Sequence, residues 1–173
     1  LLAELRIEYA DGSVEVIGTD GSWEVTENGP IRMADLYDGE TYDATHETDG
    51  WHAAAPETLK VTPAITAEYG TPVTAHEVFK PVAVTTAPDG ETIYDFGQNF
   101  AGVIRISLQG NAGQVITVRH AEILNPDGTL NTTFLRSAKA TAAYTCRDGK
   151  QTYSPRFTYM GFRYAGIKGV KPE

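Results

Sequence analysis

The chain has a single cysteine, Cys146, among 173 residues, so no disulfide can close within it and no thiolate cluster can hold a metal. Cys146 lies in AAYTCRDG, on a segment that reads as a strand with no histidine beside it. A buried structural thiol is expected there rather than a nucleophile. Histidine is also scarce, and no two of His46, His52, His76 and His120 stand at zinc-ligand spacing. Basic side chains are outnumbered, 14 against 23 acids, and a net charge of -9 repels nucleic acid and anionic membrane surfaces alike. No apolar run approaches a membrane span. No signal peptide opens the sequence, but Leu1 is not an initiator methionine. The chain is therefore read as processed or excerpted, and the missing signal says little about secretion.

What the sequence has is strand pattern. In LLAELRIEYADGSVEVI, Leu5, Ile7 and Tyr9 alternate with Glu4, Arg6 and Glu8; Asp11-Gly12 turns, and Val14 and Val16 return. IRMADLYDGETYDAT then loses the alternation and is expected to be a loop with one helical turn at Met33 to Leu36. Pro56, Pro63 and Pro72 mark an extended crossing segment. From Val82 the period of two resumes, with turns at Asp89-Gly90, Gly110 to Gly113 and Pro126-Asp127-Gly128. LRSAKATAAY reads as a short helix or an irregular strand. Short strands between Gly and Asp turns predict an all-β fold, an antiparallel β-sandwich preceded by part of a second sandwich. The expected blocks are residues 1–55, a linker at 56–77, and 78–173. Three or four strands before residue 50 are too few to stand alone, so the first block reads as the tail of a domain that begins upstream.

Four segments, in this order, carry a resemblance: DGETYDAT, YDFGQNFAG, RHAEILNPDGTLNTTFLRSAKAT and SPRFTYMGFRYAGIKG. Together they resemble the bacterial α-L-rhamnosidases, glycoside hydrolase family 78. The first block is similar to the C-terminal part of that family's N-terminal jelly-roll domain, and the last to its concanavalin-like β-sandwich. The family's catalytic domain is an (α/α)6 barrel that follows the sandwich, and its acid motifs are not in these residues. The resemblance therefore implies a non-catalytic portion of an enzyme that hydrolyses terminal α-L-rhamnosides with inversion. Its implied partners are the downstream (α/α)6 domain and rhamnose-containing glycans, in the bacterial cytoplasm or secreted. A free-standing carbohydrate-binding module is the rival. No cofactor is assigned. Some members of the family hold calcium in the domain that the first block resembles, but no ligand set for it is matched here.

The residues point the same way. Hydrolysis of a glycosidic bond needs two carboxyls about 5 to 9.5 Å apart. The acids Asp11, Asp20, Asp38, Asp89, Asp127 and Asp148 instead stand beside Gly, where Asp builds turns. In DFGQN, Gly97 permits a left-handed backbone and Asp95 suits a structural corner between two strands. The alternative is a contact with the barrel, or a sugar subsite at the seam. RFTYMGFRY sets Phe157, Tyr159 and Phe162 among Arg156 and Arg163, a composition of protein seams and of sugar sites, though Phe157 and Phe162 also suit a core. In HAEIL, His120 and Glu122 share a face if the segment is a strand, and Arg136 and Lys139 are candidates to pair with such acids. Glu40, Asp43, Glu47 and Asp49 read as a solvated acidic loop beside Trp51. The candidates for a domain seam or sugar contact are Asp95, Gln98, Asn99, Arg136, Tyr159 and Arg163. No catalytic residue and no metal ligand is assigned.

Overall fold

The computed structural model describes residues 2–46, 48–55 and 64–170. The expected linker prolines Pro56 and Pro63, and Glu47 of the acidic loop, lie outside the described residues. Thirteen strands run through the described chain. They are β1 Glu4–Glu8, β2 Val14–Gly18, β3 Glu24–Val25, β4 Ile31–Asp35, β5 Gly39–Asp43, β6 His52–Ala53 and β7 Ala83–Thr86, then β8 Thr92–Gly102, β9 Ile106–Gly110, β10 Val115–Ala121, β11 Thr141–Thr145, β12 Gly149–Tyr153 and β13 Met160–Lys168. One 3-10 turn, Thr133–Leu135, precedes β11. Two compact units divide the chain: residues 1–28 with 48–74, and residues 29–47 with 75–173.

The first unit holds two small antiparallel sheets. Strands β1 and β2 form the expected hairpin, with Leu5 opposite Ile17 and Ile7 opposite Glu15. Its turn is fixed by the Asp11 carboxylate, which accepts the Ser13 amide at 2.9 Å, and by Gly12 at φ 85°. Strand β3 pairs with β6. Among the described residues of this unit none is buried.

The second unit is a seven-stranded sheet in the order β4-β5-β11-β10-β13-β8-β7, with β9 and β12 paired as a second layer. Alternation in β10 explains the packing: Ile116, Val118 and His120 are buried on one face, while Thr117 and Arg119 are half-buried on the other. The first face joins Phe162, Ala165 and Ile167 to Ile104 and Tyr153 in the main core. The second holds a smaller cluster of Ala87, Ile93, Ala121 and Leu130.

The all-β expectation holds, with two differences. IRMADLYDGETYDAT is not a loop. It forms the β4–β5 hairpin, whose turn is tied by the Asp35 carboxylate accepting the Tyr37 and Asp38 amides at 2.7 and 2.8 Å. The hairpin pairs into the second unit, which takes in residues 29–47 together with 75–173. Finally, β5 lies parallel to β11, Gly39 opposite Thr141 and Asp43 opposite Thr145, so the sheet is mixed. A strand arriving from a segment so distant in the chain is not bound to the antiparallel direction a hairpin imposes.

Candidate functional site

Asp95 is the fourth residue of β8, where DFGQN is not a corner between two strands but a bulge inside one. Phe100 stands opposite Phe162 and Asp95 opposite Tyr164, so residues 96–99 face Arg163 alone. Gly97 takes up the turn at φ 79°, as its place in the sequence led us to expect. The Asp95 carboxylate accepts the Gly97 amide at 2.7 Å and grips the Arg163 guanidinium through two bonds of 2.8 Å. Those Arg163 bonds foremost, with the Gly97 amide, hold the Asp95 carboxyl below the usual aspartate range. Arg163 also lies 5.0 Å from the Tyr164 ring centre. Two of the candidate residues are thus partners of each other. Gln98 and Asn99 are exposed on the bulge.

The remaining candidates, Arg136 and Tyr159, lie at one end of the sheet. There β4, β8 and β10 finish, and β5, β11 and β13 begin. Hydrogen bonds stitch the loops of this end together. The Ala140 amide donates to the Tyr37 carbonyl at 3.0 Å, and Lys139 Nζ bonds Asp38 at 2.9 Å. Glu40, fully buried, accepts the Tyr153 hydroxyl at 3.0 Å and the Arg156 and Phe157 amides at 3.0 and 3.4 Å. Out of this frame project Tyr37 (74% exposed), Phe134 (75%) and Phe157 (66%), beside Leu36 and Tyr159. The backbone is strained as well: Arg136 and Ala140 adopt φ of 55° and 44°, a region that disfavours side chains. Thr158, between the two projecting aromatics, has a buried hydroxyl without a hydrogen-bond partner among the described residues.

Several expectations are corrected here. Glu40 does not belong to a solvated acidic loop; it is a buried acceptor that holds the 153–157 segment. Asp43 caps its own turn by accepting the Thr45 amide at 2.9 Å. His120 and Glu122 do not pair: β10 ends at Ala121, leaving Glu122 exposed while His120 is buried, its Nδ1 2.8 Å from the Ala140 carbonyl. Burial lowers the His120 pKa and raises that of Cys146, which is fully buried as expected. Phe162 is core, whereas Phe157 is not. Glu91 went unnoticed in the sequence, although it is buried and bound through two oxygens to Arg119, one at 2.9 Å. So did Tyr37 and Phe134. Their signal was a large ring set in a turn-rich polar stretch, where nothing local requires one.

A cleft of about 900 Å³ opens elsewhere in the second unit, lined by Tyr42, His46, Arg147, Asp148, Gln151 and Arg156 among others. Its aromatic wall is a stack closed on itself, with Tyr144 and Tyr153 ring centres 4.5 Å apart and both buried. Gln151 is bound at both ends of its amide. Among the described residues no three His, Cys, Asp or Glu side chains gather as metal ligands.

Comparison with known proteins adds six findings. The family model for the bacterial alpha-L-rhamnosidase concanavalin-like domain matches residues 85–173, and that for the alpha-L-rhamnosidase N-terminal domain matches residues 1–86. An alpha-L-rhamnosidase of Streptomyces avermitilis is 43% identical over 180 residues, 98% of this chain and 17% of its own length. One of Alteromonas sp. strain LOR is 35% identical, over 97% of this chain and 19% of its own length. Among solved structures, the Streptomyces avermitilis alpha-L-rhamnosidase complexed with L-rhamnose matches 99% of this chain and 18% of its own at a TM-score of 0.86 and 42% identity. The alpha-L-rhamnosidase from Dictyoglumus thermophilum matches 99% of this chain and 21% of its own at 0.73 and 37%. The chain thus spans about a fifth of the length of the relatives it matches.

Proposed function

The chain belongs to the bacterial α-L-rhamnosidases, and from that premise we propose that it is a non-catalytic β-domain portion that braces the catalytic domain of a longer rhamnosidase. Hydrolysis of terminal α-L-rhamnosides, with inversion, would then fall to a downstream (α/α)6 domain, acting on rhamnose-containing glycans. One observation supports the reading above others. A glycosidase needs a general acid whose pKa is raised. Seven of the ten aspartates are shifted the other way: Asp11, Asp20, Asp43 and Asp127 are lowered chiefly by Ser or Thr hydroxyls in their own turns. Asp38, Asp89 and Asp95 are lowered chiefly by Lys139, Lys168 and Arg163. Acids committed in this way serve the backbone, not a scissile bond.

The test is an assay with an aryl α-L-rhamnoside, run on this chain and on a longer polypeptide extended through the following domain. The long form should turn over and the short form should not. Turnover by the short chain, abolished by Asp95→Asn or by changing another of its own acids, would sink the proposal.

A further inference from the structure

We infer that the sheet end bearing Leu36, Tyr37, Phe134, Phe157 and Tyr159 is the surface on which the remainder of the same polypeptide packs. This rests on the reading above, that the chain is one part of a longer rhamnosidase, and it names the contact face.

The asymmetry of the sheet carries the inference. At the end where β5, β11 and β13 begin, the exposed apolar side chains are Leu36, Tyr37, Val103, Ile123, Phe134, Phe157 and Tyr159. At the opposite end, where β10 begins and β13 finishes, Val115 is the large apolar side chain exposed among the described residues, and Lys168 and Asp89 form an ion pair at 2.8 Å. A soluble surface rarely gathers so much apolar area on one side without a partner. Aromatic side chains with Arg136 in the same loops match the composition of interface centres. Rigidity points the same way: the Asp35, Asp38 and Glu40 carboxylates fix the loops from which these rings project. A face held in place before contact loses less entropy on docking. The strained Arg136 and Ala140 backbones and the unpartnered Thr158 hydroxyl lie in these same loops. Such outliers cluster at functional sites, where the surroundings over-determine them. The occupant follows from length. Relatives are about five to six times as long as this chain, which spans 17 to 19% of them, so most of the polypeptide is available to cover the face.

Hydroxyl-radical footprinting on the short chain and on the longer polypeptide tests the inference. Tyr37, Phe134, Phe157 and Tyr159 should be oxidised rapidly in the short chain and at least about fivefold more slowly in the long one, as at an interface centre. Buried Phe162 should be slow in both. Unchanged rates at the four rings in the long form overturn the inference. So does protection that appears in the short chain as its concentration rises, which marks a second copy, or on adding rhamnose, which marks a sugar site. Rhamnosidase activity of the long form is read separately. Activity with the four rings still labelled removes the docking face and leaves the functional reading standing. Protection without activity does the reverse.

Discussion

Asp95 makes three hydrogen bonds, to the Gly97 amide and to two nitrogens of Arg163, and its carboxylate is 21% exposed. Asp95→Ala should therefore cost about 1–3 kcal/mol in urea unfolding of the chain. Gln98→Ala, on the exposed face of the same bulge, should cost about 0.5 kcal/mol or less. Equal losses for the two would mean that the bulge is a packed unit and not an ion-paired one. His120 supplies a pH dependence of its own. Its folded pKa is depressed by burial, so the unfolded chain takes up a proton near pH 6.5 while the folded chain resists. Its contribution is therefore complete above that pH and is lost as pH falls, with a slope of at most about 1.4 kcal/mol per pH unit. Unfolding free energies measured from pH 7.5 to 5.5 should decline, and His120→Gln should flatten the decline. A slope unchanged by that substitution would assign it to other groups. The carboxylates act lower: Asp95, with its folded pKa depressed, stabilises the fold above about pH 4 and ceases to do so as pH drops through its folded value.

At the scale of elements, what could be read from the sequence was what local pattern controls. The β1–β2 hairpin with its Asp-Gly turn, the β7–β8 hairpin around Asp89-Gly90, and the alternation in β10 all follow from period and turn chemistry. Strand β5 could not be read in this way. Its neighbours β4 and β11 cover it on both edges, and Glu40, its second residue, is buried, so alternation fails where tertiary partners decide. The same holds for the site. The sequence marks Asp95 and Arg163 separately, but their pairing depends on a register shift between β8 and β13 that no spacing along the chain encodes. The residue that admits β5 to the sheet is Gly39. Its φ is 110°, and a Cβ there would run into the Thr141 carbonyl of β11. Gly39→Ala should therefore prise β5 from β11 and leave Glu40 without its place against Tyr153. The expected loss is several kcal/mol, about 3 or more, because backbone strain, a broken ladder and a displaced buried carboxylate coincide. By contrast, Gly12→Ala, also at positive φ but with nothing within 4 Å of an added Cβ, should cost only the strain, about 1 kcal/mol. Comparable effects of the two substitutions on thermal unfolding would show that β5 is not held by that close approach.

At the scale of the whole molecule, the burial is lopsided. Every buried side chain among the described residues belongs to the second unit, whereas the first leaves Leu5, Val14 and Val16 exposed on one two-stranded sheet and Trp23 and Trp51 exposed just before the strands of the other. A two-stranded ribbon without a covered face is marginal in water. The two units should accordingly differ in stability, and native-state hydrogen exchange can read both at once. Amides of β10 and β13, central in the seven-stranded sheet, should be protected at least about 10³-fold more than those of β1 and β2. Strands β4 and β5 decide between two divisions of the chain. If residues 1–55 behave as one block, the amides of β5 exchange with those of β1 and β2. If strand pairing governs, β5 is protected along with β11, despite lying between segments of the weaker unit in the sequence. We expect the second outcome. Slow exchange in β1 and β2 would contradict the marginal first unit. Fast exchange in β5 with slow exchange in β11 would contradict the parallel pair. In the longer polypeptide, protection of β1 and β2 should rise, because an uncovered apolar ribbon gains stability only from the surface that covers it. Were their exchange to stay as fast there as in the short chain, the exposed face of the first unit would have no partner within the polypeptide.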